Sequence, residues 1–128
     1  MKSIQLAALF ICLLFGSLQI GAHHAAQAQF DVETAKVLRG KLTKIEMINP
    51  HPQLYFTVAG EEGDVAWRVE APAIGALRRM GILRSLRIGQ IYEVDYFPSR
   101  DGSPIALMGA ITDSEGRRFG GDRPPGAY

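Results

Sequence analysis

Residues 37–47 read VLRGKLTKIEM, and the phase of their apolar side chains decides the fold. In a regular strand Leu38 and Leu42 would lie on one face, whereas Ile45 and Met47 would lie on the other. One pair would then remain in solvent, because side chains alternate strictly between the two faces of a sheet. A β-bulge in the two residues between Leu42 and Ile45 brings both pairs to one side. The stretch therefore predicts a long first strand that bends.

The chain continues with turn signals and further strands. The sequence Asn49-Pro50-His51-Pro52 is typical of a turn. Alternating apolar and polar residues predict strands at residues 54–58, 65–69 and 92–96. Residues 105–112 are predicted to form the fifth strand, with a short closing strand at 117–119. Trp67 shares its phase with Val65 and Val69, which predicts a position in the core.

A short helix is predicted between the third and fourth strands. Pro72 suits the first turn of a helix, and Gly81 suits the residue after the last turn. Leu83, Leu86 and Ile88 follow, and they are expected to pack beneath the helix.

The order of these elements is three strands, one helix and two strands. This order predicts an all-β fold with one short helix, namely an OB-like five-stranded β-barrel. The alternative is an open α+β sheet built from the same elements. The barrel is preferred because a bent first strand can pair at both of its ends and so close the sheet edges.

The chain begins with a sequence typical of a secretory signal peptide. Lys2 gives a positive start, and residues 4–15 are apolar apart from Gln5. This run is too short to cross a bilayer comfortably, since a membrane helix needs about 20 apolar residues. Cleavage after Ala22 fits the distance from the run, whereas the alternative, cleavage after Ala28, has the better pattern of small residues. We expect a periplasmic or secreted protein without a transmembrane segment after cleavage.

At 128 residues the chain has room for one small domain. The predicted parts are a signal peptide at 1–22, an N-terminal segment at 23–35, an OB-like barrel domain at 36–119 and a flexible tail at 120–128. The single cysteine, Cys12, lies in the leader. A mature protein without thiols has no disulfide, cysteine nucleophile or cysteine metal site.

Positive and negative charges nearly cancel, with 14 Lys and Arg residues against 13 Asp and Glu residues. Removal of the leader, which contains Lys2, would leave equal numbers of positive and negative residues. Nucleic-acid-binding domains normally carry a basic excess, so the composition argues against a nucleic-acid partner.

An ordered set of short motifs resembles a family of small exported bacterial proteins whose function is unassigned. The likeness runs from about His23 to Phe119. Its motifs are Ala22-His23-His24, Leu38-x-Gly40-x-Leu42, Asn49-Pro50-His51, Ala71-Pro72, Leu77-Arg78-Arg79, Ser85-Leu86-x-x-Gly89, Arg100-Asp101-Gly102-Ser103 and Asp113-Ser114-Glu115-Gly116-Arg117. This chain departs from the family pattern at Ala25, Met47 and Gln53, where the family usually has serine, tryptophan and an aromatic residue. The resemblance implies export and a small domain. It gives no indication of an activity, because none is assigned to the family.

Three histidines are the candidate metal ligands. Cleavage after Ala22 would give His23 a free amine beside its imidazole, with His24 next to it in the chain. Together with His51 they would form an all-nitrogen site suited to copper and acceptable to zinc or nickel. The first functional hypothesis is therefore an exported module that binds copper or another divalent metal.

A second hypothesis is a periplasmic adaptor that binds a protein or an anionic ligand through arginine and tyrosine side chains. The candidate ligand-binding residues are Tyr55, Arg68, Arg78, Arg79, Arg84 and Arg87. The alternative is that these arginines bind nothing and only form the solvent-exposed face of the short helix and its connection.

Enzymatic activity has little support in the sequence, and we expect a binding protein rather than an enzyme. Ser85 and Ser103 lack the context of a nucleophile elbow. Glu46, Glu70 and Glu93 alternate with apolar residues, as outward strand positions do.

Overall fold

The structure is a computed structural model that describes residues 27–121. The main elements among these residues are six strands and an α-helix followed by a 3₁₀ turn. The strands are β1 (Lys36–Glu46), β2 (Gln53–Val58), β3 (Val65–Glu70), β4 (Ile91–Pro98), β5 (Ile105–Thr112) and β6 (Arg118–Gly120). The helix α1 is Ile74–Met80, and the 3₁₀ turn is Ile82–Arg84.

Strands β1 to β5 close into a barrel. Strand β1 pairs with β2 on one side and with β4 on the other, β2 pairs with β3, and β4 pairs with β5, all antiparallel. A parallel pairing of β3 with β5 closes the ring, and β6 extends the sheet from β5. The closed, OB-like barrel is confirmed, and the open sheet is the wrong alternative.

The bulge expected in β1 is present. Leu42 lies opposite Phe56 and Lys44 lies opposite Tyr55, so Thr43 is the extra residue. The Thr43 hydroxyl donates a hydrogen bond of 3.1 Å to the backbone oxygen of Tyr55. The bulge lets the first half of β1 pair with β4 while the second half pairs with β2, which the closed ring requires.

Gly40 permits the close approach of β1 and β2 near this bend. A Cβ atom at Gly40 would lie 2.9 Å from Cγ2 of Val58 and 3.0 Å from the backbone oxygen of Thr57. These distances are too short for any side chain, so glycine is a packing requirement here.

The barrel interior is filled by side chains from every barrel strand and from the helical connection. Leu77 of α1, Ile82 of the 3₁₀ turn and Leu86 belong to the same buried cluster as the barrel residues. Helix α1 ends at Gly81, whose positive φ of 79° suits glycine. The hydroxyl of buried Tyr92 accepts a bond from the Arg87 N–H at 2.8 Å and donates to another acceptor, so it ties the connection to β4.

A second apolar cluster lies on the outside of β4 and β5. Phe30 is 1% exposed and packs against Phe97 and Leu107. Residues 29–31 run antiparallel to the end of β4, with an isolated bridge between Phe30 and Ser99 and a hydrogen bond of 2.9 Å from the Asp31 N–H to the Pro98 oxygen. The segment before β1 is therefore an integral part of the packed domain.

One core expectation is wrong, and another is met only in part, since Trp67 packs against the core cluster without being fully buried. Ile88 is 64% exposed, because the 3₁₀ turn directs Ile82 into the core in its place. Trp67 is only half-buried and Val65 is 42% exposed, although both share a phase with buried Val69. The reason is that β5 pairs with β3 only from Arg68 onward, so the first residues of β3 project beyond the closed part of the barrel.

Candidate functional site

A cleft of about 320 Å³ opens where β3 projects beyond β5. It lies between the start of β1, the start of β3, the end of β4 and the β4–β5 loop (residues 99–104), with the segment before β1 as a further wall. Its lining residues are Asp31, Lys36, Trp67, Tyr96, Pro98, Ser99, Arg100, Gly102 and Ser103. Aromatic, cationic and hydroxyl groups thus meet in one concave surface.

Tyr96 contributes an unpartnered hydroxyl to this cleft. The residue is 7% exposed, and its hydroxyl has no hydrogen-bond partner among residues 27–121. Because no fully buried side-chain oxygen or nitrogen in this range lacks a partner, the hydroxyl is open to solvent at the cleft. Burial raises the pKa of the Tyr96 phenol, so the group stays protonated and able to donate at neutral pH. Tyr92, two strand repeats earlier on β4, is 1% exposed, and its hydroxyl is hydrogen-bonded to protein groups.

Trp67 stands beside Tyr96 as the second aromatic wall. The two ring centroids are 5.1 Å apart, and the ring planes meet at 63°. This edge-to-face arrangement is favourable for aromatic pairs. Trp67 is half-buried, so part of the indole remains open to the cleft.

The β4–β5 loop is fixed by Asp101. Its Oδ1 accepts hydrogen bonds from the Ser103 hydroxyl at 2.6 Å, the Ser103 N–H at 2.9 Å and the Ser99 hydroxyl at 2.8 Å. The bonds from Ser103, followed by the bond from Ser99, lower the pKa of Asp101 from 3.8 to about 2. The loop side of the cleft is therefore preformed.

Arg100 and Lys36 bring positive charge to the cleft. The Arg100 Nε donates to the Gln27 oxygen at 3.0 Å, and its backbone N–H donates to the Gln29 oxygen at 2.9 Å. Lys36 lies directly opposite Tyr96 in the pairing of β1 with β4. Asp31 is the one carboxylate in the lining, so cations are in excess.

The predicted histidine site is only partly described. The His51 Nδ1 lies 2.6 Å from Oε1 of Glu70, and both side chains are partly exposed. His23 and His24 lie outside the described residues. Within residues 27–121 no group of three or more His, Cys, Asp or Glu side chains is arranged to hold a metal ion.

Tyr55 and Arg68, predicted to act together, are neighbours across β2 and β3. The Tyr55 hydroxyl donates a bond of 2.6 Å to Glu46, and the Lys44 Nζ lies 5.0 Å from the centre of the Tyr55 ring. Lys44 also pairs with Glu46. These four residues form a polar patch on the barrel wall, in which the charges of Lys44 and Glu46 already balance each other.

The other four predicted arginines belong to the helical connection. Arg78 and Arg79 occupy the last turn of α1, and Arg84 ends the 3₁₀ turn. The Arg87 side chain donates to the Leu86 oxygen at 2.8 Å. All four are exposed, and they stand on different elements from Tyr55 and Arg68.

Sequence reasoning missed the cleft. Trp67 and Tyr96 stand at alternating strand positions, and that pattern indicates core residues. The Arg100-Asp101-Gly102-Ser103 motif was the available signal, because it marks the loop that forms one wall.

A family model described as a family of unknown function (DUF6152) matches residues 11–108. The chain belongs to this family. The resemblance inferred from the sequence motifs is thereby confirmed for a small domain of unassigned function.

Comparison with solved structures finds a weak likeness. A crystal structure of a ZRD-deleted mutant of TiaS in complex with agmatine matches with a TM-score of 0.42 and 16% sequence identity. The match covers 77% of this chain and 24% of the other, so the chain spans about a quarter of that protein. No curated protein matches this chain. Among residues 27–121 no helix has the length and hydropathy needed to cross a membrane.

Proposed function

We propose that this protein is an exported, non-enzymatic binding module whose ligand occupies the cleft beside Tyr96. The observation that carries the proposal is that the Tyr96 hydroxyl and the Trp67 indole line one cleft, and that this hydroxyl has no partner among the described residues. No fully buried side-chain oxygen or nitrogen among residues 27–121 lacks a partner, so the Tyr96 hydroxyl is open to solvent at the cleft. A bound ligand with an acceptor atom would take the place of that solvent.

Binding is favoured over catalysis by the chemistry of the loop. The hydroxyls of Ser99 and Ser103 both donate to Asp101, as a serine next to a general base would. A carboxylate with a pKa of about 2, however, is far too weak a base to take a proton from serine at neutral pH. These hydrogen bonds therefore shape the loop.

The leader supports the exported location. Its charged start and apolar run precede Gln27, whose oxygen holds Arg100 at the cleft. Cleavage after Ala22 would retain this contact, whereas cleavage after Ala28 would remove Gln27 and release the Arg100 side chain. The cleft of the exported protein thus depends on where the leader ends.

Trp67 is the single tryptophan of the chain, so its fluorescence reports on the cleft. We expect a panel of small carboxylates, amines and sugars to contain compounds that change Trp67 emission. Tyr96→Phe should weaken their binding about tenfold, the usual cost of losing a hydrogen bond of about 1.4 kcal/mol. Tyr55→Phe removes a hydroxyl from the barrel wall and is the matched control. A panel without effect, or hits that bind Tyr96→Phe unchanged, would contradict the proposal.

Copper binding is the second candidate, favoured by the pair of His51 and Glu70. Metal-binding histidines usually hold a carboxylate with the ring nitrogen that does not bind the metal. With Nδ1 on Glu70, His51 would offer Nε2 to a metal. Further nitrogen ligands would come from His23 and His24 if the leader ends at Ala22.

Calorimetric titration with copper tests this second candidate on two mature forms, one starting at His23 and one at Gln29. The longer form should bind copper, and either His51→Ala or the shorter start should abolish tight binding. Equal binding by both forms would exclude the three-histidine site.

A further inference from the structure

We infer that the ligand of the cleft is a small aromatic carboxylate, held by Arg100 and Lys36 and stacked against Trp67. This inference rests on the proposed function and specifies its ligand class. Three features of the cleft carry it, namely its charge, its aromatic wall and its size.

The charges of the residues that line the cleft favour an anionic ligand. The lining has two cations, Lys36 and Arg100, and one carboxylate, Asp31, whose Oδ1 accepts a hydrogen bond of 3.2 Å from the Glu33 N–H. The Arg100 Nε is held by the Gln27 oxygen, while its two terminal nitrogens have no partner among residues 27–121. A guanidinium fixed in this way presents paired N–H groups that match the two oxygens of a carboxylate.

The aromatic wall of the cleft favours a ligand with a flat apolar ring. Trp67 is held edge-to-face against Tyr96, and it cannot turn away without losing that contact. A ring laid against the open part of the indole would replace water on an apolar surface that the barrel leaves uncovered. The Tyr96 hydroxyl, which donates at neutral pH, then lies beside the ligand as a further hydrogen-bond donor.

Size limits the ligand to about one ring. A volume of about 320 Å³ is at the lower end of the range for small-molecule sites. The Asp101 hydrogen bonds fix the loop in advance, so little ordering accompanies binding. Benzoate is the simplest probe that combines these properties.

The test is calorimetry on the mature protein that retains Gln27, with Trp67 fluorescence as a second readout. The probes are benzoate, its neutral analogue benzamide, the non-aromatic cyclohexanecarboxylate, and acetate. Benzoate should bind at least about tenfold more tightly than benzamide, because a charge-assisted pair contributes about 1.4 kcal/mol or more. It should also bind more tightly than cyclohexanecarboxylate and acetate, which carry the same charge but have no aromatic ring to lie against Trp67. Arg100→Gln should weaken benzoate binding by a similar factor, whereas Arg78→Gln, on the exposed helix, should leave it unchanged.

The outcomes separate the ligand class from the site. If benzamide binds as tightly as benzoate, the ligand need not be an anion. If cyclohexanecarboxylate binds as tightly as benzoate, the ligand need not be aromatic. In both cases binding that still depends on Tyr96 would leave the proposed function standing. If neither these probes nor the wider panel changes Trp67 emission, the inference and the proposed function fail together.

Discussion

Asp101 shows how a single side chain can shape a binding surface without touching a ligand. It gathers three hydrogen bonds from Ser99 and Ser103, and these bonds close the β4–β5 loop around its carboxylate. Asp113 serves the next turn in the same way, since its carboxylate accepts bonds from the N–H groups of Glu115 and Arg117. These hydrogen bonds account for the aspartate in each of the two loop motifs, the one at residues 100–103 and the one at residues 113–117.

Asp101→Asn should destabilise the protein at neutral pH and progressively less in acid. Because the pKa of Asp101 is about 2 when folded and 3.8 ordinarily, the ionised carboxylate stabilises the fold above pH 3.8. That stabilisation is lost as the pH falls from 3.8 towards about 2. The measurement is the urea midpoint of both proteins across this range, with Glu61→Gln as the control for loss of an exposed carboxylate. A difference between wild type and Asp101→Asn that is independent of pH would contradict this assignment.

Individual residues differed in how far the sequence could predict them. Gly81 and the alternating strand residues follow local rules, and their roles were predictable. Tyr96 was not, because alternation places Tyr92 and Tyr96 on the same face and gives no sign that only one hydroxyl finds a partner. That difference arises from tertiary structure, where the helical connection reaches Tyr92 and leaves Tyr96 beside the cleft.

At the scale of elements, the first strand was the most predictable. The phase change between Leu42 and Ile45 required a bulge, and Thr43 is the bulged residue. The segment before β1 was not predictable as a structural element, since it has no strand or helix pattern. Its role depends on an outer face of β4 and β5 that exists only after the barrel has formed.

Phe30→Ala should be strongly destabilising although Phe30 lies outside the barrel. The ring is 1% exposed, and truncation of a buried phenylalanine costs about 3–5 kcal/mol in free energy of unfolding. Urea denaturation measures this loss. Val37→Ala, which truncates a side chain that is 63% exposed, should change the free energy of unfolding by less than about 0.5 kcal/mol.

The same variant tests how the segment supports the cleft. Release of residues 27–31 would remove the Gln27 contact of Arg100 and the Asp31 wall. If Phe30→Ala is as mild as Val37→Ala, the segment is not packed as described.

For the molecule as a whole, barrel closure produces both the stability and the site. The parallel pairing of β3 with β5 removes the sheet edges and begins at Arg68, one residue after Trp67. The unpaired start of β3 then leaves Trp67 partly uncovered beside Tyr96 and the β4–β5 loop. The order of strands predicted this closure, but the exact residue at which pairing begins depends on the registers of three strand pairs.

The most direct test of a ligand site at the cleft is NMR of the protein starting at His23, with ¹³C at the phenol carbon of tyrosine, before and after addition of benzoate. Tyr55→Phe, Tyr92→Phe, Tyr96→Phe and Tyr128→Phe assign the four resonances. We predict that benzoate shifts the Tyr96 resonance and leaves those of Tyr55 and Tyr92 in place. A Tyr96 resonance that does not move while benzoate binds, or a shift at Tyr55 in its place, would contradict a ligand site at this cleft.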